Sequence, residues 1–478
     1  MTSQSYVRTE MVAAQKPPGA QAGVVRWMRE KLFSSWLNGI LTVVALYAAY
    51  SILATIGPWF FRSVWTGSSL NDCRATLTAS YGEGTSGACF AVIRERWQQI
   101  IFGFYPRELY WRPTLTLVLM LVALLPVLFR ETKRFPIWVA VIFAVVLFGS
   151  VWGHANTLWT GVAAIVALAL GVWLYLRGTH LLIWFSLCFP AVAFWLLWGG
   201  TFWLPVMIML GFVIGYAAFR LVSPVNSLLG VITAIVLPIL WWLYLCGPAA
   251  DQLHGVMQIG LRQLKSADFG GFLLSAVIGI SGIVFSLPIG VLLALGRQSD
   301  LLIVRTVCVA FIEGFRGVPL ITLLFVASLL LNYFLPPGTE FDVILRVIIM
   351  VTLFSAAYMA EVIRGGLAAL PRGQYEAADA LGLDYWKAQR LIIMPQALKI
   401  TIPGIVGQFI GLFKDTTLVS FISLQDPLQL VSSIRANTEW NGIYWELFIF
   451  VGFLFFIFCF SMSRYSMYLE NKLKTDHR

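Results

Sequence analysis

Residues 375–395 read Y-E-A-A-D-A-L-G-L-D-Y-W-K-A-Q-R-L-I-I-M-P, a polar stretch between two long apolar runs. The alanine-rich residues 376–381 favour a short helix with a small-residue face that another protein can approach closely. Gly382 then permits a backbone turn that a residue with a Cβ would resist. Residues 383–393 can form a second short helix, and we expect Pro395 to end it at the return to the apolar run. The stretch therefore predicts a helix–turn–helix protrusion between two membrane spans, with an ordinary amphipathic loop as the alternative.

Composition places the chain in a membrane. Hydrophobic residues make up 59% of its 478 residues and charged residues 12%, with a mean hydropathy of +0.81, which excludes a soluble protein of this size. Long apolar runs recur, each near the roughly 20 residues needed to cross ~30 Å of hydrocarbon. We predict an all-α integral membrane protein with about twelve transmembrane helices. The spans are placed at 37–61, 114–129, 136–152, 157–176, 181–199, 202–219, 227–246, 270–295, 302–333, 341–364, 397–422 and 443–463.

The net charge of +10 is explained by membrane orientation rather than by nucleic acid. Lysine and arginine gather before the first span, at the carboxyl end, in residues 371–395 and in several short loops between spans. With twelve spans these positions all lie on one side, which the positive-inside rule makes the cytoplasm, so both termini are expected to be cytoplasmic. No pattern of stacking aromatic residues accompanies the charge, so nucleic-acid binding is dismissed. The first apolar run, of about 25 residues, is longer than a signal-peptide core, so we interpret the first span as a retained anchor.

One long loop, residues 62–113, is predicted on the opposite, external side. Within it, residues 92–104 carry apolar side chains at helical spacing. They can form either a helix that lies in the membrane interface or a packed cap on the external face. The loop also contains Cys73 and Cys89, which an external location permits to form a disulfide. Two free thiols are the alternative.

The character of the chain changes near residue 265. The earlier spans are rich in Trp, Leu and Val, whereas the later ones are interrupted by Gly, Pro and charged residues. We divide the chain into a cytoplasmic segment (1–36), an amino-terminal transmembrane region (37–247), an external connector (248–268), a carboxyl-terminal transmembrane domain (269–467) that contains the protrusion (371–395), and a cytoplasmic tail (468–478).

Residues 376–395 fit the pattern E-A-A, three residues, Gly, nine residues, I-x-L-P, with Met394 in place of the Leu. This pattern resembles the cytoplasmic coupling loop of permease subunits of binding-protein-dependent ABC importers. Six blocks in order, from L-P-I-G-V-L-L-A-L-G-R at 287–297 to G-Q-F-I-G-L-F-K-D-T-T-L-V-S at 407–420, are similar to the five-span domain of polar-amino-acid ABC permeases. Val318 stands where that family more often has Thr. The resemblance implies that the ATPase is contacted through Glu376, Ala377, Ala378, Leu381, Gly382 and Pro395.

The amino-terminal part resembles a narrower group, the long permeases of general L-amino-acid importers. The likeness is carried by A-C-F-A-V-I-R-E-R-W at 88–97, F-G-F-Y-P at 102–106 and W-R-P at 111–113. It implies an L-amino-acid permease of the bacterial inner membrane. Its implied partners are a second homologous permease subunit, an ABC ATPase dimer and a periplasmic amino-acid-binding protein.

Charged residues inside the spans cost roughly 3 kcal/mol each on insertion scales and tend to be functional. Glu313 and Arg316 lie three residues apart, as do Glu361 and Arg364, so each pair shares a helix face. Mutual neutralisation that tethers helices is the favoured interpretation of both pairs. Glu361 is also a candidate for the transport path.

The predicted eleventh span carries Gln408, Gly411, Lys414 and Asp415 on successive turns. An amino-acid ligand needs a hydrogen-bond donor and an acceptor at membrane depth, and a neutral amide such as that of Gln408 suits many side chains. By resemblance to the permease family, this span lines the transport path. Helix packing with a Lys414–Asp415 pair near the external surface is the alternative.

No catalytic site is predicted. The sequence has no phosphate-binding G-x-x-x-x-G-K-[ST] loop, no G-x-S-x-G motif and no histidine spacing typical of a metal site, so no cofactor is expected. Energy must then come from a separate ATPase. The alternative is an ion-coupled secondary amino-acid carrier, which usually shows two related halves, and we find no such repeat here.

Overall fold

The computed structural model describes residues 24–128, 182–330, 333 and 342–473. These residues are mainly helical, with one short antiparallel strand pair, β1 (Gly200–Thr201) and β2 (Gly260–Leu261). The chain divides into two compact units, residues 1–95 and 96–478, and each is described by itself.

The first unit contains three helices and a disulfide. The helices are α1 (Val24–Lys31), α2 (Trp36–Phe61) and α3 (Leu70–Tyr81). Ser35 begins α2 because its side chain accepts a hydrogen bond from the Asn38 backbone amide. Cys73 and Cys89 are bonded, with 5.9 Å between their Cα atoms, and both are buried.

The second unit begins within α4 and contains all later helices. Before residue 265 these are α4 (Ala91–Phe102), α5 (Trp111–Leu128), α6 (Leu182–Trp198), α7 (Trp203–Val222), α8 (Ser227–Leu240) and α9 (Cys246–Val256), with a π-helical turn, Trp241–Leu245, between α8 and α9. The later helices are α10 (Gly271–Arg297), α11 (Leu302–Gly317), α12 (Leu320–Phe325), α13 (Val343–Ala368), α14 (Arg372–Ala380), α15 (Tyr385–Ala388), α16 (Met394–Asp415), α17 (Pro427–Arg435) and α18 (Trp445–Leu473).

The centre of the carboxyl-terminal domain is built from α10, α13 and α16. Its buried side chains form two apolar clusters, one towards each end of these helices. Gly290 of α10 lies against Met359, and Gly404 of α16 lies against Val362, at distances that leave no room for a Cβ. Small residues therefore set how closely these spans pack.

The number of spans is lower in the described ranges than the predicted twelve. Eight helices there are long and apolar enough to cross a membrane, or nine if one bent pair counts as a single span. The predicted span at 181–199 is the shorter apolar helix Leu182–Trp198. The predicted spans at 136–152 and 157–176 lie outside the described residues. The all-helical membrane fold is confirmed, whereas the count of twelve is not.

The predicted span at 302–333 is bent within its described residues. α11 and the helical stretch Leu320–Leu330 meet at an angle of 101°. The cause is local: Pro319 has no backbone N–H and pushes the preceding residue out of the helical region, so Val318 is extended, with φ −112° and ψ 134°. The chain therefore changes direction between α11 and α12.

The predicted helix at 92–104 is α4, and its second half is packed rather than lipid-parallel. Ile100 is fully buried, and Gly103 touches the backbone of Gly270. The Tyr105 hydroxyl donates to the Leu197 carbonyl over 2.9 Å, and its ring stands edge-on to Phe269. This segment is thus packed against neighbouring parts of the chain, as the cap alternative requires.

Candidate coupling loop and charged network

The first helix of the protrusion, α14, ends in a glycine turn. Gly382 has a φ of +68°, in the left-handed region that favours glycine. Its amide donates to the Asp379 carbonyl over 2.9 Å, and the Leu383 amide donates to the Ala378 carbonyl over 3.2 Å. This pair of bonds is the Schellman arrangement, which satisfies carbonyls that the helix end would leave free. A Cβ at Gly382 would meet open space, so glycine is needed there for conformation.

The second helix does not end at Pro395, and that expectation is wrong. Asp384 caps the start of α15, because its side chain accepts a hydrogen bond from the Lys387 amide over 2.9 Å. α15 continues through a π-helical turn, Gln389–Ile393, directly into α16. In the π turn the Met394 amide bonds to the Gln389 carbonyl, and Pro395 falls in the first turn of α16, where its missing N–H is tolerated.

The tip of the protrusion exposes apolar side chains. Leu381 is 72% exposed and Trp386 66% exposed, with Tyr385 beside the Trp386 ring. Sequence reasoning missed the two aromatic residues, although a Tyr-Trp pair that follows an N-cap aspartate in a polar loop was a readable signal. The solvent-facing members of the predicted ATPase contact are Glu376, Ala377, Leu381, Gly382 and Pro395. The remaining member, Ala378, is 1% exposed and packs inside the protrusion.

The base of the protrusion is held firmly against the spans. The Gln396 side-chain amide donates to the Gln374 side chain over 2.9 Å and to the Ile392 carbonyl over 3.0 Å, which ties α14 to α16. Tyr375 packs against the buried cluster that α10, α13 and α16 share. The protrusion is therefore anchored to the spans at its base.

A network of charged residues lies at the same end of the domain. The Glu361–Arg364 pair expected from sequence is present at 2.8 Å, and the Glu313–Arg316 pair is looser at 3.7 Å. What sequence reasoning missed is Arg297, the last residue of α10, which donates to Glu361 over 2.6 Å and to Glu313 over 2.9 Å. One guanidinium thus joins α10 to both α11 and α13. No local spacing could reveal it, because Arg297 is far from both acids in sequence.

Glu361 is the centre of this network. Its side chain is 16% exposed, and it accepts from Arg297 and from two nitrogens of Arg364. Arg316 approaches it to 3.8 Å and also lies 5.5 Å from the centre of the Tyr358 ring. The network has three arginines and two glutamates, so it keeps one excess positive charge. It tethers three helices, which agrees with the tethering interpretation.

The other candidates for the transport path lie on one helix, α16. Gln408 and Gly411 are half-buried, Asp415 is half-buried and Lys414 is exposed. A Cβ at Gly411 would meet open space. Within the described ranges, no ion pair within 4.0 Å joins Lys414 to Asp415. Glu361 is engaged in the charged network and is not joined to this set.

The part of the chain that the structure describes contains no cluster of His, Cys, Asp or Glu that could hold a metal ion.

Comparison with known proteins supports the resemblance seen in the sequence. The model of a family described as binding-protein-dependent transport system inner membrane component matches residues 286–475. A glutamate/glutamine/aspartate/asparagine transport system permease protein from Rhodobacter capsulatus is 52% identical over 100% of both chains. An inner membrane amino-acid ABC transporter permease protein from Escherichia coli is 34% identical over 94% of this chain and 93% of its own.

Among solved structures, a crystal structure of an amino acid ABC transporter with histidines is similar over 42% of this chain and 91% of its own, at 27% identity and a TM-score of 0.38. The relatives give no support to the ion-coupled carrier. With a full-length relative at 52% identity, the chain belongs to the family of inner-membrane permease components of binding-protein-dependent transport systems.

Proposed function

We propose that this permease subunit carries L-amino acids into the cytoplasm and is driven by a separate ABC ATPase seated on residues 371–395. The substrate class is supported by the full-length relative, which is described as a permease for glutamate, glutamine, aspartate and asparagine. Acidic and amide amino acids are therefore the first substrates to test. A binding protein delivers the substrate at the periplasmic face of the permease. A second, homologous permease subunit completes the transport path.

The proposed ATPase contact is supported by one observation: the tip of the protrusion exposes apolar side chains, while its base is bonded to the spans. Leu381, Tyr385 and Trp386 project from a short helical hairpin, and large exposed apolar groups of this kind mark protein interaction sites. Aromatic side chains are also enriched among residues that dominate binding energy. The hairpin is small enough to enter a groove in a soluble partner.

The same geometry suggests how force reaches the spans. Closure of the ATPases displaces the hairpin, and the Gln374–Gln396 bond makes α14 and α16 move together. α13 leads directly into the hairpin, so it moves as well. The charged network at its lower end then carries the motion through Arg297 into α10 and through Glu313 into α11. This rocking switches the access of the cavity between the two sides of the membrane.

In this proposal, Gln408 and Gly411 line the substrate path, since α16 provides half-buried polar and small residues next to open space. Both termini lie in the cytoplasm by the positive-inside rule. The disulfide of the first unit then lies on the periplasmic side, where oxidising conditions maintain it.

The test of this function is the Trp386→Ala variant, purified together with the candidate ATPase and binding protein. Loss of a dominant aromatic contact of about 2 kcal/mol or more lowers the affinity for the ATPase by at least about 30-fold. Trp445→Ala is the matched control, because Trp445 is equally exposed, at 71%, but begins α18 at the opposite end of the domain. We expect the control to retain the ATPase.

A second variant, Gly382→Trp, should abolish substrate-stimulated ATP hydrolysis while membrane insertion is unchanged. The proposal fails if the Trp386→Ala and Gly382→Trp proteins both retain the ATPase and transport amino acids at the normal rate. Uptake of labelled glutamate, glutamine and a cationic amino acid into vesicles tests the substrate class separately.

A further inference from the structure

A short amphipathic helix precedes the first span, and the family assignment gives it no role. α1 has the sequence V-V-R-W-M-R-E-K. Val24, Trp27 and Met28 are spaced three and four residues apart, so they share one face of the helix. Arg26, Arg29 and Glu30 lie on the other side. Lys31, seven residues after Val24, ends the helix on the apolar side, so the apolar face has one cation at its end and the opposite face is mainly basic.

The turn after α1 contacts the beginning of the span. The Thr42 hydroxyl, in the second turn of α2, donates back to the Leu32 carbonyl over 2.8 Å. The Asn38 side chain donates to the Ser34 hydroxyl over 2.6 Å. The Phe33 ring lies within contact distance of Gly39, at 3.6 Å from an added Cβ. Residues 32–34, which follow α1, thus contact the first two turns of α2.

The properties of α2 indicate what surrounds this turn. It is an apolar helix of 26 residues, long enough to cross the membrane, and none of its residues is buried against another described part of the chain. A helix that only residues 32–35 separate from such a span lies near the lipid headgroups, because that layer begins where the ~30 Å of hydrocarbon ends. The occupant of the apolar face of α1 is therefore lipid.

The charges next to this face identify the kind of lipid. Arg26 pairs with Glu30 over 2.7 Å, which leaves the positive charges of Arg29 and Lys31 in excess. Trp27 is 56% exposed and Trp36 lies at the start of the span, and tryptophan side chains prefer the interface between headgroups and acyl chains. Basic residues beside a span attract anionic headgroups, and each basic residue near the surface contributes about 1 kcal/mol to this binding.

We propose that residues 24–36 form an interfacial anchor that binds anionic phospholipid, with Trp27 and Met28 at the acyl boundary and Arg29 and Lys31 on the phosphates. The anchor selects headgroups by charge and sets the depth of the first span.

The test uses the full-length chain with Met28 replaced by the photocrosslinking residue p-benzoylphenylalanine. The protein is reconstituted in vesicles that contain phosphatidylcholine and phosphatidylglycerol, irradiated, and analysed by mass spectrometry for the adduct at position 28. We expect phospholipid adducts in which phosphatidylglycerol is enriched by about fivefold or more over its share of the vesicle. The upper limit of this enrichment is about 30-fold, because two cations at about 1 kcal/mol each favour an anionic headgroup by that factor.

Two variants of the crosslinking protein complete the experiment. Arg29→Gln with Lys31→Gln should lower the enrichment to the composition of the vesicle. Arg220→Gln with Arg305→Gln removes two exposed cations elsewhere in the chain and should leave the enrichment unchanged. The proposal is overturned if the adduct is mainly protein, if phosphatidylglycerol is not enriched, or if both double variants lower the enrichment equally. The outcome of this crosslinking experiment does not depend on the ATPase or on the transported substrate.

Discussion

The charged network yields the sharpest prediction, for the substitution Glu361→Gln. Glu361 accepts hydrogen bonds from Arg297 at 2.6 Å and from Arg364 at 3.0 and 2.8 Å. Removal of its charge leaves three arginines with a single acid, Glu313, whose side chain is 52% exposed. The glutamine is too weak an acceptor to compensate for three charge-assisted bonds.

The expected loss of stability follows from the burial of these groups. A hydrogen bond to a charged group is worth about 1.5–3 kcal/mol, and breaking a fully buried ion pair costs about 3–5 kcal/mol. The arginine side chains here are 24–47% exposed, so solvent screens part of the repulsion. We therefore expect Glu361→Gln to lower the free energy of unfolding by about 2–3 kcal/mol.

The assay is a double-mutant cycle on the purified protein, with unfolding followed by tryptophan fluorescence in detergent. Arg297→Gln in the Glu361→Gln background restores the native excess of one positive charge, so the double variant should be more stable than the sum of the single effects by about 1 kcal/mol or more. Glu376→Gln is the control, because Glu376 is exposed in the protrusion and its loss should change stability by less than about 0.5 kcal/mol. Additive effects of the two network substitutions, or a Glu361→Gln effect no larger than the control, would refute the reasoning.

Two further predictions concern packing and pH. A Cβ at Gly366 would lie 2.4 Å from the Thr401 methyl and 2.7 Å from the Ala397 carbonyl. Gly366→Ala should therefore destabilise the α13–α16 contact by about 1–3 kcal/mol in the same unfolding assay. Gly365→Ala is the control: its Cβ would meet open space, so it should be neutral or slightly stabilising. Burial raises the pKa of Asp426, at the start of α17, from 3.8 to about 6. Because this pKa is raised in the folded state, the contribution of Asp426 to stability is complete below about pH 4 and is lost as the pH rises through 6. Asp426→Asn should therefore flatten the fall in unfolding midpoint between pH 4 and 7, and an unchanged pH slope in that variant would contradict the assignment.

Local patterns in the sequence predicted the parts of the structure that depend on local physics. The apolar runs correspond to helices wherever the chain is described, because backbone groups in hydrocarbon must bond within their own segment. Gly382 was identified as the turn, since few other residues adopt a positive φ readily. The spacing of Glu361 and Arg364 correctly predicted a pair on one helix face.

Hydropathy did not reveal two features that depend on local backbone geometry. Residues 302–333 are apolar enough for one span, yet Val318 and Pro319 bend the chain by 101°. Pro395 was expected to end a helix, but the π turn before it shifts the hydrogen-bond register so that the helix continues. Hydropathy averages over many residues and does not respond to a single missing donor.

By itself, the sequence determined that this protein is a helical membrane permease, where its helix–turn–helix protrusion lies and which residue makes that protrusion turn. These features depend on solvent and on neighbours within a few residues. Only the tertiary structure decided that Arg297 joins three helices, that Ala378 faces inwards and that Leu32 and Phe33, after α1, contact the first span. The reason is physical: an ion pair or a close packing contact depends on the separation of atoms in space, which residue spacing does not determine for groups on different helices.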